Sequence, residues 1–439
     1  MRTARIPTTL ALACAALLAP ALPAIAAPAT STGLSTNTAL STNTPSPDRF
    51  GGVRSVTLTE SALEGVHGTS PDATVRDVLT VTADGFGLRV RLGNPFGGAP
   101  VAVHSVWVGI EPSTDSPALV PGSDHRATFR GARSTSLQPG ASLWTDPVPL
   151  FVHAGDHIAV SVYAPNSPVD DHTFPPPATD TPGSYLSVAP GDAGRDETGA
   201  AFGAFQPGTL WWADAISAQS FAHGTIVALG DSITDGYNAD GGGPRWTDVL
   251  AERINQLPLG EQLSVANAGI SGNTVGIQPN PYDPTGQCCG PPAPLRLDRD
   301  VLSLPGVRYV LLLESTNDIG GGANAPSASA AQVIDAMRGI AARVHAAGKK
   351  IVGATVLPMC NTAGSAKEQT RLAVNTWIRT SGAFDAVLDF DSVLRDPADP
   401  TVINPPWDHD CYHPNAAGDK VLGDSIDLSV FGLHAPTTR

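Results

Sequence analysis

The chain has 439 residues, with 26 lysines and arginines against 41 aspartates and glutamates, and so a formal net charge of −15. That excess disfavours electrostatic capture of nucleic acid or of an anionic membrane surface. The length is sufficient for two domains, each with its own core.

Residues 1–26 carry Arg2 and Arg5, an Ala/Leu-rich run, and Ala24-Ile25-Ala26. A basic start, a short apolar run and an A-x-A site have the form of a secretory signal cut after Ala26, so a secreted, extracellular protein is expected. Pro20 and Pro23 interrupt the run, and no later segment is long and apolar enough to span a bilayer. No integral membrane association is expected. Residues 27–48 contain LSTNT twice within a Ser/Thr/Pro-rich tract. Its apolar content cannot offset its ordering entropy, which predicts a linker.

Over residues 49–216 the hydrophobic pattern has period two. TVRDVLTV, FGLRVRL, VAVHSVWVGI and HIAVSVYA are short β-branched runs separated by Gly/Pro/Asp turns. That spacing predicts an all-β sandwich or jelly roll. His104, His125, His153, His157 and His172 are scattered through it and read as surface or satisfied core residues. No titratable cluster in this half has a catalytic pattern.

Over residues 222–434 the period changes. TIVALG, LSVANAG, RYVLLLES, KKIVGATVLP and AVLDFD read as buried parallel strands. RWTDVLAERINQL, SAAQVIDAMRGIAARVHAAG, AKEQTRLAVNTWIRTS and NAAGDKVLGDSIDL read as helices. Alternation of this kind predicts a three-layer α/β domain with helices on both faces of a parallel sheet. Its active site then lies beyond the carboxyl ends of the strands.

The pentapeptide LGDSI occurs twice, at Leu229–Ile233 and at Leu422–Ile426. The first follows the strand TIVA, which puts Ser232 on the turn at the active edge. The second sits among Val421, Leu422, Ile426 and Leu428 at helical spacing, where Ser425 is an ordinary helix residue and Gly423 a tolerated cost of about 1 kcal/mol. A serine hydroxyl needs a base, and the base needs a partner that fixes its tautomer. WDHDCYHPN supplies both as Asp410 and His413, with Pro414 suited to open the following helix. His409 competes as base but directly precedes Asp410. A metal site built on Asp408, His409, Asp410 and His413 lacks a further ligand cluster, so no metal or cofactor is expected. Attack on a carbonyl also requires oxyanion donors. Gly272 in NAGISGNT and Asn317 in STND fall at two more strand ends.

Cys14 leaves with the signal, and Cys288, Cys289, Cys360 and Cys411 remain. In an oxidising compartment they predict two disulfides, with three connectivities open.

The stretches GDSITDGY, NAGISGNT, STND and DCYHPN, in that order, resemble the four blocks of the SGNH (GDSL) hydrolases. The resemblance spans Thr225 to Leu433 and implies a flavodoxin-like parallel sheet. It further implies Ser232 as nucleophile, His413 as base and Asp410 as its partner. The Ser232 N–H, Gly272 and Asn317 would be the oxyanion donors. Ser315 departs from the family pattern, standing where glycine is usual, and a requirement for positive φ there would displace Asn317. The β-rich half is similar to the domain that precedes the hydrolase in secreted actinobacterial members. All four cysteines fall near the catalytic edge, so a disulfide through Cys411 is expected to clamp the His413 loop.

The activity implied is a serine ester hydrolase working through an acyl-enzyme and acting as a monomer. No G-x-S-x-G elbow is present to support another serine-hydrolase fold. Polysaccharide acetyl esters, acyl lipids and simple esters are all open as substrates, and the accessory sandwich favours carbohydrate. The alternative is a non-catalytic glycan-binding protein on a degenerate hydrolase scaffold.

Overall fold

Alternating burial builds the β-rich half. In the computed structural model, which describes residues 52–59, 62–113, 116–173, 183–237, 244–276, 289–321 and 327–434, strand Thr74–Thr80 pairs with His157–Tyr163. The latter pairs with Ser105–Glu111 in a six-stranded antiparallel sheet. Gly85–Asn94 pairs with Val148–Val152 and Ala213–Ser220 in a five-stranded one. Val75, Leu79, Val106 and Val160 of the first sheet share one core with Leu88, Val90, Val148 and Ile216 of the second. The segments read as signal and linker, residues 1–48, lie outside the described residues.

The run VAVHSVWVGI is two strands rather than one. Val101–Val103 pairs with Thr135–Leu137, and Ser105–Glu111 joins the six-stranded sheet. Burial falls on Val101 and Val103, then on Val106 and Val108, so the phase slips by one residue at His104. Such a slip moves inward side chains to the other face, and the chain changes sheets there.

In the second half, five parallel strands form one sheet: Thr225–Gly230, Ser264–Gly269, Val307–Leu313, Lys350–Ala354 and Ala386–Leu388. Their spatial order is second, first, third, fourth, fifth, with every pairing parallel. Strand order therefore reverses on either side of Thr225–Gly230, and the crevice beyond its carboxyl end is the site that this topology leaves for a ligand. Val227, Leu229, Val310, Leu312 and Ile351 point to one face, against helices Ala330–Ala346 and Ala366–Thr380. Ile226, Ala228, Leu311 and Val352 point to the other, against Trp246–Asn255 and Ala416–Ser425. Alternate residues of each strand thus feed two separate cores, which explains why the strands read as unbroken apolar runs.

Both halves belong to one compact unit, and polar contacts join them. The Thr57 N–H donates to Thr225 Oγ1 at 3.0 Å. Thr82 Oγ1 both donates to the Val265 carbonyl (2.7 Å) and accepts its N–H (3.1 Å), on the outermost strand of the parallel sheet. Buried Arg91 pairs with Asp214 at 2.7 Å and donates to the Arg299 carbonyl at 2.9 Å. Arg299 in turn donates to the Leu63 carbonyl at 2.7 Å.

The second LGDSI lies in helix Ala416–Ser425, where Ser425 Oγ donates to the Leu422 carbonyl at 2.7 Å. Gly423 is more than a tolerated cost there. A Cβ on it would lie 2.5 Å from Val249 Cβ and 2.8 Å from the Trp246 carbonyl, so glycine lets this helix meet Trp246–Asn255. Helix propensity alone favours Gly423→Ala by about 1 kcal/mol. Overpacking opposes it by about 1–3 kcal/mol, against backbone that cannot step aside. Gly423→Ala is therefore expected to lower stability in urea unfolding, the reverse of the propensity scale.

Candidate active site

The first strand of the parallel sheet, Thr225–Gly230, is buried throughout and runs directly into Asp231. Asp231 Oδ1 accepts the Ile233 N–H at 3.0 Å and winds residues Ser232–Asp235 into a single helical turn, where the sequence alone suggests a bare turn. A Cβ on Gly230 would fall 2.0 Å from Thr234 Oγ1, so only glycine allows that turn to fold back on the strand. As the first residue of the turn, Ser232 has a backbone N–H with no intrahelical acceptor.

The Asp410-x-x-His413 segment meets it from the far end of the chain. His413 Nε2 lies 2.8 Å from Ser232 Oγ. His413 Nδ1 lies 2.9 Å from both Asp410 oxygens. A carboxylate only accepts, which assigns the proton to Nδ1 and leaves Nε2 to accept from the serine hydroxyl. The turn is self-supporting, since Asp410 Oδ1 also takes the N–H groups of Tyr412 (3.1 Å) and His413 (2.9 Å). Burial opposes ionisation of Asp410. The hydrogen bond and charge of His413, with the two N–H groups, outweigh it and pull the pKa down to about 2. With its pKa depressed, the stabilisation Asp410 contributes is present above the ordinary carboxylate range and is lost only as pH falls through about 2. The Tyr237 ring packs on His413 with centroids 4.3 Å apart. His409, the competing base, places its N–H on the His413 carbonyl at 3.0 Å. Pro414 does not open the next helix: Asn415 caps it by accepting the Gly418 N–H at 3.0 Å, which moves the start to Ala416.

Gly272 and Asn317 follow the two strands that flank Thr225–Gly230, namely Ser264–Gly269 and Val307–Leu313. Asn317 Nδ2 donates to the Asn273 carbonyl at 2.8 Å, which ties the two predicted donors together. Asp318 accepts the N–H groups of Val275 (2.9 Å) and Gly276 (3.0 Å) and fixes the same loop. Beneath them the fully buried Arg296 donates to the carbonyls of Gly230 (2.9 Å) and Ala268 (2.7 Å) and to Asn273 Oδ1 (3.0 Å). Burial raises the pKa of Asp231 to about 6, against the Ile233 N–H and the charge of His413. Burial also raises Glu314 well above its ordinary range, with Asp231 adding to the effect and Arg296 opposing it. For a raised carboxylate the sign reverses: Asp231 penalises the folded state at neutral pH, and the penalty eases as pH falls through about 6.

Ser315 does adopt the glycine-like backbone, with φ +99, at the start of the turn that carries Asn317. Asn317 nevertheless keeps its bond to Asn273, so the departure costs strain rather than placement. Ser315 Oγ is buried and has no hydrogen-bond partner among the described residues.

Cys360 and Cys411 are joined by a disulfide. It links the segment after strand Lys350–Ala354 to the turn between Asp410 and His413. Cys289 is disulfide-bonded, and Cys288 lies outside the described residues.

Several residues here escape the sequence reading. Asp231, Asp235 and Tyr237 stand inside the quoted GDSITDGY but bear no pattern that separates them from turn chemistry. Arg296 lies in a loop-to-helix segment with no motif. His172, read as a surface or satisfied core residue, is 2% exposed and reaches Asp235 from the β-rich half.

Residues 228–421 match the model of the GDSL-like lipase/acylhydrolase family. Among solved structures, the chain is similar to a GDSL-like lipase from Bacteroides thetaiotaomicron, at 18% identity over 48% of this chain and 89% of that one, TM-score 0.35. It is also similar to an acetylxylan esterase from Geobacillus stearothermophilus, at 18% identity over 48% of this chain and 96% of that one, TM-score 0.37. At these scores neither likeness bears on substrate. Among curated proteins none matches the chain significantly.

Ser315→Gly removes a positive-φ side chain and an orphaned hydroxyl, and loses a few tenths to 1 kcal/mol through the freer unfolded chain. The net expectation is a gain of about 1–2 kcal/mol in urea unfolding. Cys360→Ala with Cys411→Ala frees the His413 turn while leaving its hydrogen bonds possible. Esterase kcat is expected to fall severalfold at temperatures where far-UV circular dichroism is unchanged.

Proposed function

We propose that residues 228–421 of this chain, a GDSL-like lipase/acylhydrolase domain and so an ester-bond hydrolase, work through an acyl-enzyme on Ser232. The observation that carries this reading is the unbroken relay from Asp410 through His413 to Ser232, with contacts of 2.9 and 2.8 Å. His413 Nε2 takes the hydroxyl proton as Ser232 Oγ attacks the ester carbonyl. Asp410 holds Nδ1–H and balances the imidazolium that forms. The oxyanion is met by the N–H groups of Ser232 and Gly272 and by the Asn317 amide. His413 then returns the proton to the leaving alkoxide. Water, deprotonated by the same nitrogen, releases the acid and regenerates Ser232.

The substrate we infer is a short acyl ester on carbohydrate. The support is the large β-rich half built onto the hydrolase domain, a common arrangement where an enzyme works on an extended polymer. Export fits the leader-like residues 1–26 and the disulfide. No helix of the described residues is long and apolar enough to cross a membrane.

The test is a panel of chromogenic esters of increasing acyl length, with acetylated xylan and pectin, run on wild type and Ser232→Ala. Turnover of the short esters and of at least one acetylated polysaccharide is expected, with kcat lower by about 10⁴-fold or more in the variant. Turnover that survives Ser232→Ala would remove the nucleophile assignment. Preference for long acyl chains would replace carbohydrate with lipid.

A further inference from the structure

The β-rich half sends one titratable side chain into the core beside the nucleophile turn. His172, on strand Pro168–Thr173, is 2% exposed, and Asp235, three residues beyond Ser232, is 1% exposed. His172 Nε2 lies 3.1 Å from Asp235 Oδ1, and Nδ1 lies 3.2 Å from the Ala62 carbonyl oxygen. The other oxygen, Asp235 Oδ2, accepts two bonds from Ser271: its N–H at 3.1 Å and its Oγ–H at 2.6 Å. Ser271 immediately precedes Gly272.

The contacts assign the donors. A peptide carbonyl can only accept, so His172 Nδ1 carries a proton toward Ala62, and a second proton is shared between Nε2 and Asp235 Oδ1. Asp235 Oδ2 accepts from the Ser271 backbone and hydroxyl together. The result is a buried pair whose acidic member grips Ser271. On the other side of Gly272, the Asn273 N–H donates to the Ile270 carbonyl at 3.0 Å, and Asn317 holds the Asn273 carbonyl. The peptide between Ser271 and Gly272 is thus pinned at both ends, which sets the direction of the Gly272 N–H. Asp235 also belongs to the turn that begins with Ser232, so one carboxylate relates the attacking oxygen to the oxyanion donor.

We propose that His172 is a positioning residue for the ester hydrolysis, acting through Asp235 and Ser271 to aim the Gly272 N–H. The inference rests on the reading of Ser232 as nucleophile and Gly272 as oxyanion donor. It makes the β-rich half part of the catalytic apparatus without contact with the reacting atoms.

A residue that aims an oxyanion donor changes kcat and leaves ground-state binding nearly untouched. With p-nitrophenyl acetate, His172→Ala is expected to lower kcat about 10- to 100-fold, short of the loss on deleting a donor outright, with KM within about twofold. His172→Gln restores an N–H toward Asp235 and is expected to recover part of that loss. Ser271→Ala, which removes the 2.6 Å bond from a partly exposed side chain, is expected to lower kcat severalfold and carries the test if His172→Ala does not fold. Activities are taken per folded molecule, from near-UV circular dichroism. Wild-type kcat in His172→Ala or in Ser271→Ala, with turnover abolished by Ser232→Ala, overturns this inference alone. So does a kcat for His172→Gln no higher than for His172→Ala. Turnover that persists in Ser232→Ala overturns the nucleophile reading and this inference with it.

Discussion

A guanidinium with no access to water holds the carboxyl ends of two adjacent strands at a fixed separation. Arg296 donates to the carbonyl oxygens of Gly230 and Ala268 from two of its nitrogens and to Asn273 Oδ1 from the third, with Asp300 and Glu314 at 3.4 and 3.8 Å. Taking a charge out of water is costly, and here each of the three guanidinium nitrogens is answered by an acceptor. What the arrangement secures is distance: the turn bearing Ser232 and the turn bearing Gly272 each begin within a residue or two of a bonded carbonyl. In the proposed mechanism that spacing sets the attacking serine oxygen against the donors for the oxyanion.

The geometry divides labour between near and distant parts of the chain. Asp410 and His413 orient each other within one turn of backbone, and the Cys360–Cys411 disulfide and the Tyr237 ring hold that turn from outside. Ser232 depends on the cap from Asp231 and on the missing side chain of Gly230. The proposed donors depend on contacts between separate loops: Asn317 with Asn273, Asp318 with Val275 and Gly276, Asp235 with Ser271. Asp231 and Glu314 are both raised by burial, so this edge holds acids that cost stability at neutral pH, as do Asp77 and Asp419 elsewhere in the fold.

Much of this was legible in the residues. The parallel strands announced themselves because both faces are covered, so apolar residues stand at consecutive positions rather than alternate ones. The Asp-x-x-His spacing was readable because its geometry is local. The two copies of LGDSI were separable by what precedes them, a strand in one case and a helical repeat in the other. What sequence could not supply was anything that depends on a meeting of remote segments. Arg296 stands among prolines and leucines without a motif, and His172 lies on a short strand of the other half, some sixty residues before its partner. The break at His104 was hidden because alternation looks continuous in letters even when its phase slips. Gly423 looked like a concession and proved to be a contact, since a glycine in a helix does not say what lies opposite. The Asn415 cap displaced Pro414 from the helix start because a side-chain acceptor satisfies an orphan N–H that proline merely lacks.

The hydroxyl of Thr82 has a consequence for how the two halves can be used. The outermost strand of a parallel sheet ordinarily presents a row of peptide groups to whatever extended chain arrives. Here the N–H and the carbonyl of Val265 are both occupied by one side chain from the β-rich half. At this residue the β-rich half takes the place of a neighbouring strand. Excised at the change of period, the hydrolase half would leave both of these peptide groups open to solvent or to another chain.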